Sequence, residues 1–226
     1  MSQRGSMVIQ ISLGWANAFV IRGKRPVLVD TGYPGSAPRI IAKLHDYGVD
    51  PDWLSLIIIT HGHSDHFGSA GELRKQTGAP IAVHKLDASA LINGQDPSLE
   101  PTGFIGRTLM PMLERRGPAK APPVKPDILI GEELDLKKYG IDGKVIHTPG
   151  HTPGSVSVIL PSGEFIVGDL IMRGMLRFWQ PNYPLFADNR KQIDKSLKLI
   201  LRQKPTKIYC THGGPFTPES VQQKFA

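Results

Sequence analysis

Leu56-Ile57-Ile58-Ile59-Thr60-His61-Gly62-His63-Ser64-Asp65-His66 decides how this chain folds. It opens with four apolar residues in a row, as in a strand buried on both faces. It then sets three histidines and an aspartate within six residues. Imidazole and carboxylate are the donors that zinc and related divalent metals take. A buried strand that runs straight into such donors predicts a site at the carboxyl end of a sheet.

His151, Asp169 and His212 recur downstream, each beside a glycine and each just after an apolar stretch. Those stretches are Val145 to His147, Phe165 to Val167 and Ile208 to Cys210. In α/β folds, loops from separate strands converge at the carboxyl ends. Four strand ends can therefore gather seven donors. One tetrahedral ion needs four, so seven suit a two-metal site with room for water, and metal-activated hydrolysis is the chemistry that follows.

Outward from these loops, strands are expected at Val8–Leu13, Ala18–Ile21, Pro26–Asp30, Ile81–His84, Lys144–His147, Ser155–Leu160, Glu164–Val167 and Lys207–Cys210. Helices are expected at Pro38–Tyr47, stopped by Gly48, at Ser69–Gln76, at Lys191–Arg202 and after Pro218. Hairpins followed by strand–helix alternation, then the same order again, predict two sheets between outer helices. The basic, Pro- and Gly-rich segment 95–127 reads as a loop with one short helix near Phe104–Glu114. Such an excursion serves either as a lid or as plain surface.

At 226 residues and 24.8 kDa, one domain over 1–226 is expected. No apolar run is long enough to cross a membrane. Met1 to Gln10 has no apolar leader stretch, and Ser2 to Ser6 is expected to be disordered. The one cysteine, Cys210, excludes an intrachain disulfide and fits a cytoplasmic protein; it reads as a buried strand end. The net charge is +7. No basic-aromatic module of a nucleic-acid binder accompanies it, so a small-molecule substrate is expected and a nucleic acid is kept as a lesser alternative.

Five segments together resemble the metallo-β-lactamase superfamily: Leu28 to Gly32, the HxHxDH run His61 to His66, Thr148 to Ser155, Gly168-Asp169, and His212 to Gly214. The resemblance covers the chain from Val8 to its end. It implies an αββα four-layer sandwich and two divalent ions, zinc first, with iron or manganese as alternatives. It also implies His61, His63 and His151 on one ion, Asp65, His66 and His212 on the other, and Asp169 between them. A hydroxide held by both ions would attack an ester-type bond in a thioester, lactone or related small substrate, with Asp65 carrying a proton as the catalytic residue. Two alternatives stay open: a mononuclear iron, persulfide dioxygenase-like oxidoreductase, and a phosphodiesterase or nuclease. Oligomeric state is not specified by the sequence.

Asp30 and His147 are candidates to support the ligands from behind. His45 reads as solvated and His84 as packing. Arg173, Arg177, Phe178, Trp179 and Tyr183 either line the substrate cleft or fill the interface with the outer helices.

Overall fold

A computed structural model of the chain describes residues 7–225, apart from 99, 117, 118 and 176. The disorder expected at Ser2 to Ser6 lies outside the described residues.

Alternation along the buried strands builds the layers. In the strand Leu56–Ile58 and the residue after it, Leu56 and Ile58 point one way while Ile57 and Ile59 point the other. Ile57 and Ile59 join Ile40, Leu44 and Leu73 in a core beneath the helices Ala37–Asp46 and Ala70–Thr77. Leu56 and Ile58 join Phe19, Val29, Val145, Val158 and Ile166 in a second core between the two sheets. A third core holds Phe165, Ile208, Ile193, Leu197, Ile200 and Val221, under the helices Arg190–Arg202 and Pro218–Phe225. The architecture is helix, sheet, sheet, helix. Each fully buried Ile or Leu contributes about 1.5–3 kcal/mol relative to exposure.

The first sheet has six strands in the order Val8–Ser12, Asn17–Ile21, Val27–Val29, Leu56–Ile58, Ile81–His84 and Ile128–Ile130. Its first two pairings are antiparallel and the last three parallel. The second sheet runs Lys207–Tyr209, Glu164–Ile166, Val156–Ile159, Lys144–His147 and Glu133–Asp135. Lys207–Tyr209 pairs parallel with Glu164–Ile166, and the other pairings are antiparallel.

These directions place the carboxyl ends of Lys144–His147, Glu164–Ile166 and Lys207–Tyr209 on one edge. The Val156 amide donates to the Thr60 carbonyl at 2.9 Å, and the Asn17 amide to the Thr211 carbonyl at 2.9 Å. The first bond brings the end of Leu56–Ile58 to that same edge, and the second ties the start of Asn17–Ile21 to it.

Segment 95–127 is more ordered than its composition suggests. It carries a 13-residue helix, Phe104–Arg116, and a short strand, Glu100–Pro101, paired with Phe186–Ala187. No helix among the described residues is long and apolar enough to cross a membrane.

Candidate metal centre

All seven sequence-selected residues converge at this edge, and their donor atoms face one another. His61 Nε2 lies 2.9 Å from His63 Nδ1, and His151 Nε2 lies 3.1 Å from both. Opposite, His212 Nε2 lies 3.2 Å from Asp65 Oδ2. His66 Nε2 is 3.8 Å from Asp65 Oδ1. Asp169 Oδ2 stands between the two groups, 3.7 Å from His151 and His66 and 3.2 Å from His212.

The surroundings decide which ring nitrogen faces inward. His66 Nδ1 donates to Asp30 Oδ2 at 2.9 Å, His151 Nδ1 to the Phe186 carbonyl at 3.0 Å, and His212 Nδ1 to the Trp15 carbonyl at 3.1 Å. Each acceptor fixes the proton on Nδ1 and turns the Nε2 lone pair into the site. His66 Nε2 and Asp169 Oδ1 are buried with no hydrogen-bond partner. Lone pairs aimed at one another and at carboxylates repel unless a cation lies among them. Donors on a tetrahedral ion at 2.0–2.1 Å would stand about 3.3 Å apart, close to the spacing seen. The residues fit a divalent metal.

The charge balance divides the site. Burial lowers His63 to about 3, and it lowers His61 and His151 as well. Burial opposes the charged form of His212 too, but Asp169 and Asp65 outweigh it and raise that ring to about 10. His66 is raised by Asp30, Asp65 and Asp169 against the same opposition. Burial works against the Asp65 and Asp169 carboxylates, yet His66 and His212 hold both below the usual range.

Asp30 does more than orient His66. Fully buried, it accepts the Thr60 amide at 2.8 Å, the Thr60 hydroxyl at 2.8 Å and the Thr211 hydroxyl at 3.2 Å. Its φ of 59 is a left-handed value that aspartate tolerates better than most residues.

Asp87 was not singled out in the sequence. Its carboxylate accepts the Gly62 amide at 2.8 Å, the Thr152 hydroxyl at 2.6 Å and the Gly154 amide at 2.8 Å, so one side chain ties the two loops that carry His61, His63 and His151. In sequence it looks like an ordinary residue before a helix, and nothing local marks it. Asp96, at the root of segment 95–127, accepts the Ser64 amide at 2.7 Å and is pushed up to about 6 by burial.

Other candidates fall elsewhere. His45 is exposed. His84 stacks on His147 at 4.0 Å, and His147 Nε2 donates to the Pro153 carbonyl. Cys210 is fully buried, which pushes its thiol up. Tyr183 bonds to Asp194 and packs on Phe225 at 4.8 Å, away from the ligands.

The Metallo-beta-lactamase superfamily model matches residues 14–212. The chain belongs to the metallo-beta-lactamase superfamily. Within this superfamily the chain is 30% identical to the probable metallo-hydrolase YflN of Bacillus subtilis, over 87% of this chain and 78% of the relative. It is 27% identical to the hydroxyacylglutathione hydrolase GloC of Haemophilus influenzae, over 67% of this chain and 63% of the relative. A crystal structure of the B3 metallo-beta-lactamase BLEG-1 superposes with a TM-score of 0.71 at 24% identity, over 97% of this chain and 98% of that one. The superfamily and its site together make this chain a metal-dependent hydrolase.

Proposed function

We propose that the chain is a dinuclear metal-dependent hydrolase of ester-type bonds, thioesters foremost. The observation that carries this reading is Asp169 Oδ2, within 3.7 Å of ring nitrogens from both donor groups. His61, His63 and His151 would hold one ion, Asp65, His66 and His212 the other, and Asp169 would be shared. Zinc best matches imidazole and carboxylate donors, with iron or manganese as alternatives. When bound, the ions supply Lewis acidity and bring the pKa of water toward neutrality.

The chain's own groups set the rest. Trp15, Phe186, Thr60 and Asp30 aim the imidazoles inward, and Asp87 holds the two ligand loops in register. Asp65 takes and releases the proton; its side chain is 16% exposed, which leaves it a route to bulk water. The name of the Haemophilus influenzae relative supports thioesters, since hydroxyacylglutathione is one. The likeness to the B3 lactamase supports the fold alone. A small-molecule substrate and a cytoplasmic setting accompany this reading.

A panel of thioester, lactone, phosphodiester and β-lactam substrates, run on protein of measured metal content, tests it. Thioester or lactone turnover that a chelator abolishes and zinc restores is the expected result. Turnover of phosphodiesters alone would replace the reading with a nuclease. One iron per chain, with oxygen uptake on a persulfide and no hydrolysis, would replace it with a dioxygenase.

A further inference from the structure

The turn Ser64–Phe67 carries two of the residues assigned to the second ion, Asp65 and His66. The His66 and Phe67 amides both donate to the His63 carbonyl, at 2.9 and 3.1 Å. The Ser64 amide comes too early in the turn to find a carbonyl within it. His63, just before it, makes no side-chain cap. Asp96 supplies the acceptor from 32 residues away. Its Oδ1 takes the Ser64 amide at 2.7 Å and its Oδ2 the Ser64 hydroxyl at 3.2 Å.

Asp96 stands on a closely built root. Its own amide donates to the Ala119 carbonyl at 3.1 Å, and Gln95 bridges to Lys120. The Ala121 amide donates to the Gly94 carbonyl at 3.0 Å, and the Val124 amide to the Leu91 carbonyl at 2.9 Å. Gly94 has a φ of +64, and an added Cβ there would stand 2.3 Å from the Ala121 carbonyl oxygen. Glycine is what lets the two strands of chain come so close. Leu91, Ala121 and Val124 belong to the core beneath the first-sheet helices. The two ends of segment 95–127 are thus stitched to each other and to that core.

The Asp96 carboxylate is half-buried, and among the described residues no cation pairs with it. Burial pushes it up to about 6 against the pull of the two Ser64 bonds. Asp127, at the other end of the segment, pairs with Arg74. A carboxylate that is costly to bury and bonded to one amide and one hydroxyl serves to fix those two groups.

The other residues of the second-ion group are steadied from behind, His66 by Asp30 and His212 by the Trp15 carbonyl. Asp65 is more exposed than either, at 16% against 0% and 8%. Its place depends on the backbone of its turn. Upstream, Asp87 holds Gly62, on the side of His61 and His63. Downstream, Asp96 holds Ser64, on the side of Asp65. The two carboxylates divide one loop between the two ions.

We infer that Asp96 is a positioning residue for Asp65, through which segment 95–127 sets the hold on the second ion and the place of the proton carrier. This rests on the dinuclear reading above.

Chelator competition on zinc-loaded protein reads the two ions as separate steps, assigned with His63→Ala and His212→Ala. Asp96→Ala is expected to weaken the second ion about 10–100-fold and to leave the first within about threefold. Asp96→Asn keeps the shape and one acceptor oxygen without the charge. It is expected to lose at least about threefold at the second ion alone, and it carries the comparison if Asp96→Ala does not fold. Ser64→Ala gives up only the longer hydroxyl bond and is expected to stay within about threefold at both ions. In excess zinc, on the ester or thioester that wild type turns over best, Asp96→Ala is expected to lose kcat about tenfold with KM within about threefold.

Equal losses at both ions, or a lower Tm of the metal-free protein with neither affinity changed, overturns the proposal, since Asp96 would then only stabilise the segment. An unchanged kcat overturns the placement of the proton carrier. A single ion in fully loaded wild type would sink the dinuclear reading itself, and kcat then decides the role of Asp96. If wild type cleaves no ester or thioester, the hydrolase reading fails, while the two affinities still decide it.

Discussion

Asp30 Oδ2 sits 2.9 Å from His66 Nδ1, with both side chains fully buried. The carboxylate fixes the ring and leaves His66 Nε2 facing the site with no protein partner. Such a carboxylate behind a ligand governs how tightly the ligand holds its ion. Asp30→Asn keeps the shape and tolerates φ of 59. It is expected to weaken metal retention about 10–100-fold in a chelator competition. Retention equal to wild type would remove Asp30 from the metal-binding machinery.

Asp87 predicts a coupled loss. Asp87→Ala strips the acceptor from the Gly62 amide, the Thr152 hydroxyl and the Gly154 amide. Buried groups left unpaired cost about 1–3 kcal/mol each, so destabilisation of about 3 kcal/mol or more is expected. For a chain of this length that lowers Tm by about 6–12 °C. Differential scanning calorimetry checks it, and a shift under about 2 °C would mean that the loops are held by other contacts.

The two halves of the site predict opposite proton behaviour in metal-free protein. His63 falls from 6.5 to about 3 on folding, so between those values the unfolded chain binds more protons. Its contribution to stability is complete above pH 6.5 and is lost as pH falls toward 3. His212 rises from 6.5 to about 10, so its contribution is complete below 6.5 and is lost as pH climbs toward 10. Metal uptake near pH 8 must then displace protons from His66 and His212, and not from His61, His63 or His151. Calorimetric titration in buffers of different ionisation enthalpy is expected to show proton release. Its absence in the wild type, or its persistence in His212→Ala at the wild-type amount, would contradict the assignment.

Cys210 is expected to be chemically silent. It is fully buried and its thiol is pushed up by burial, so little thiolate forms. Thiol reagents should modify it only after unfolding, and Cys210→Ala should keep wild-type metal content. Rapid labelling of the native protein would show that this strand end opens.

The ligands were legible because each one ends an apolar run, and a run buried on both faces announces itself without its partners. Ile128–Ile130 and Glu133–Asp135 were not: three residues of mixed burial carry too little pattern. The helix Phe104–Arg116 runs just past the expected end at Glu114 and continues through Pro111 as expected. Asp87 and Trp15 act across the fold, reaching partners 25 and 197 residues away at Gly62 and His212. No local spacing encodes such contacts.

Metal analysis of Asp169→Ala beside wild type tests the shared carboxylate most directly. Two divalent ions per chain in wild type, falling to one or fewer in the variant together with turnover, is the predicted result. Two ions retained in Asp169→Ala, or a single ion in fully loaded wild type, would contradict it.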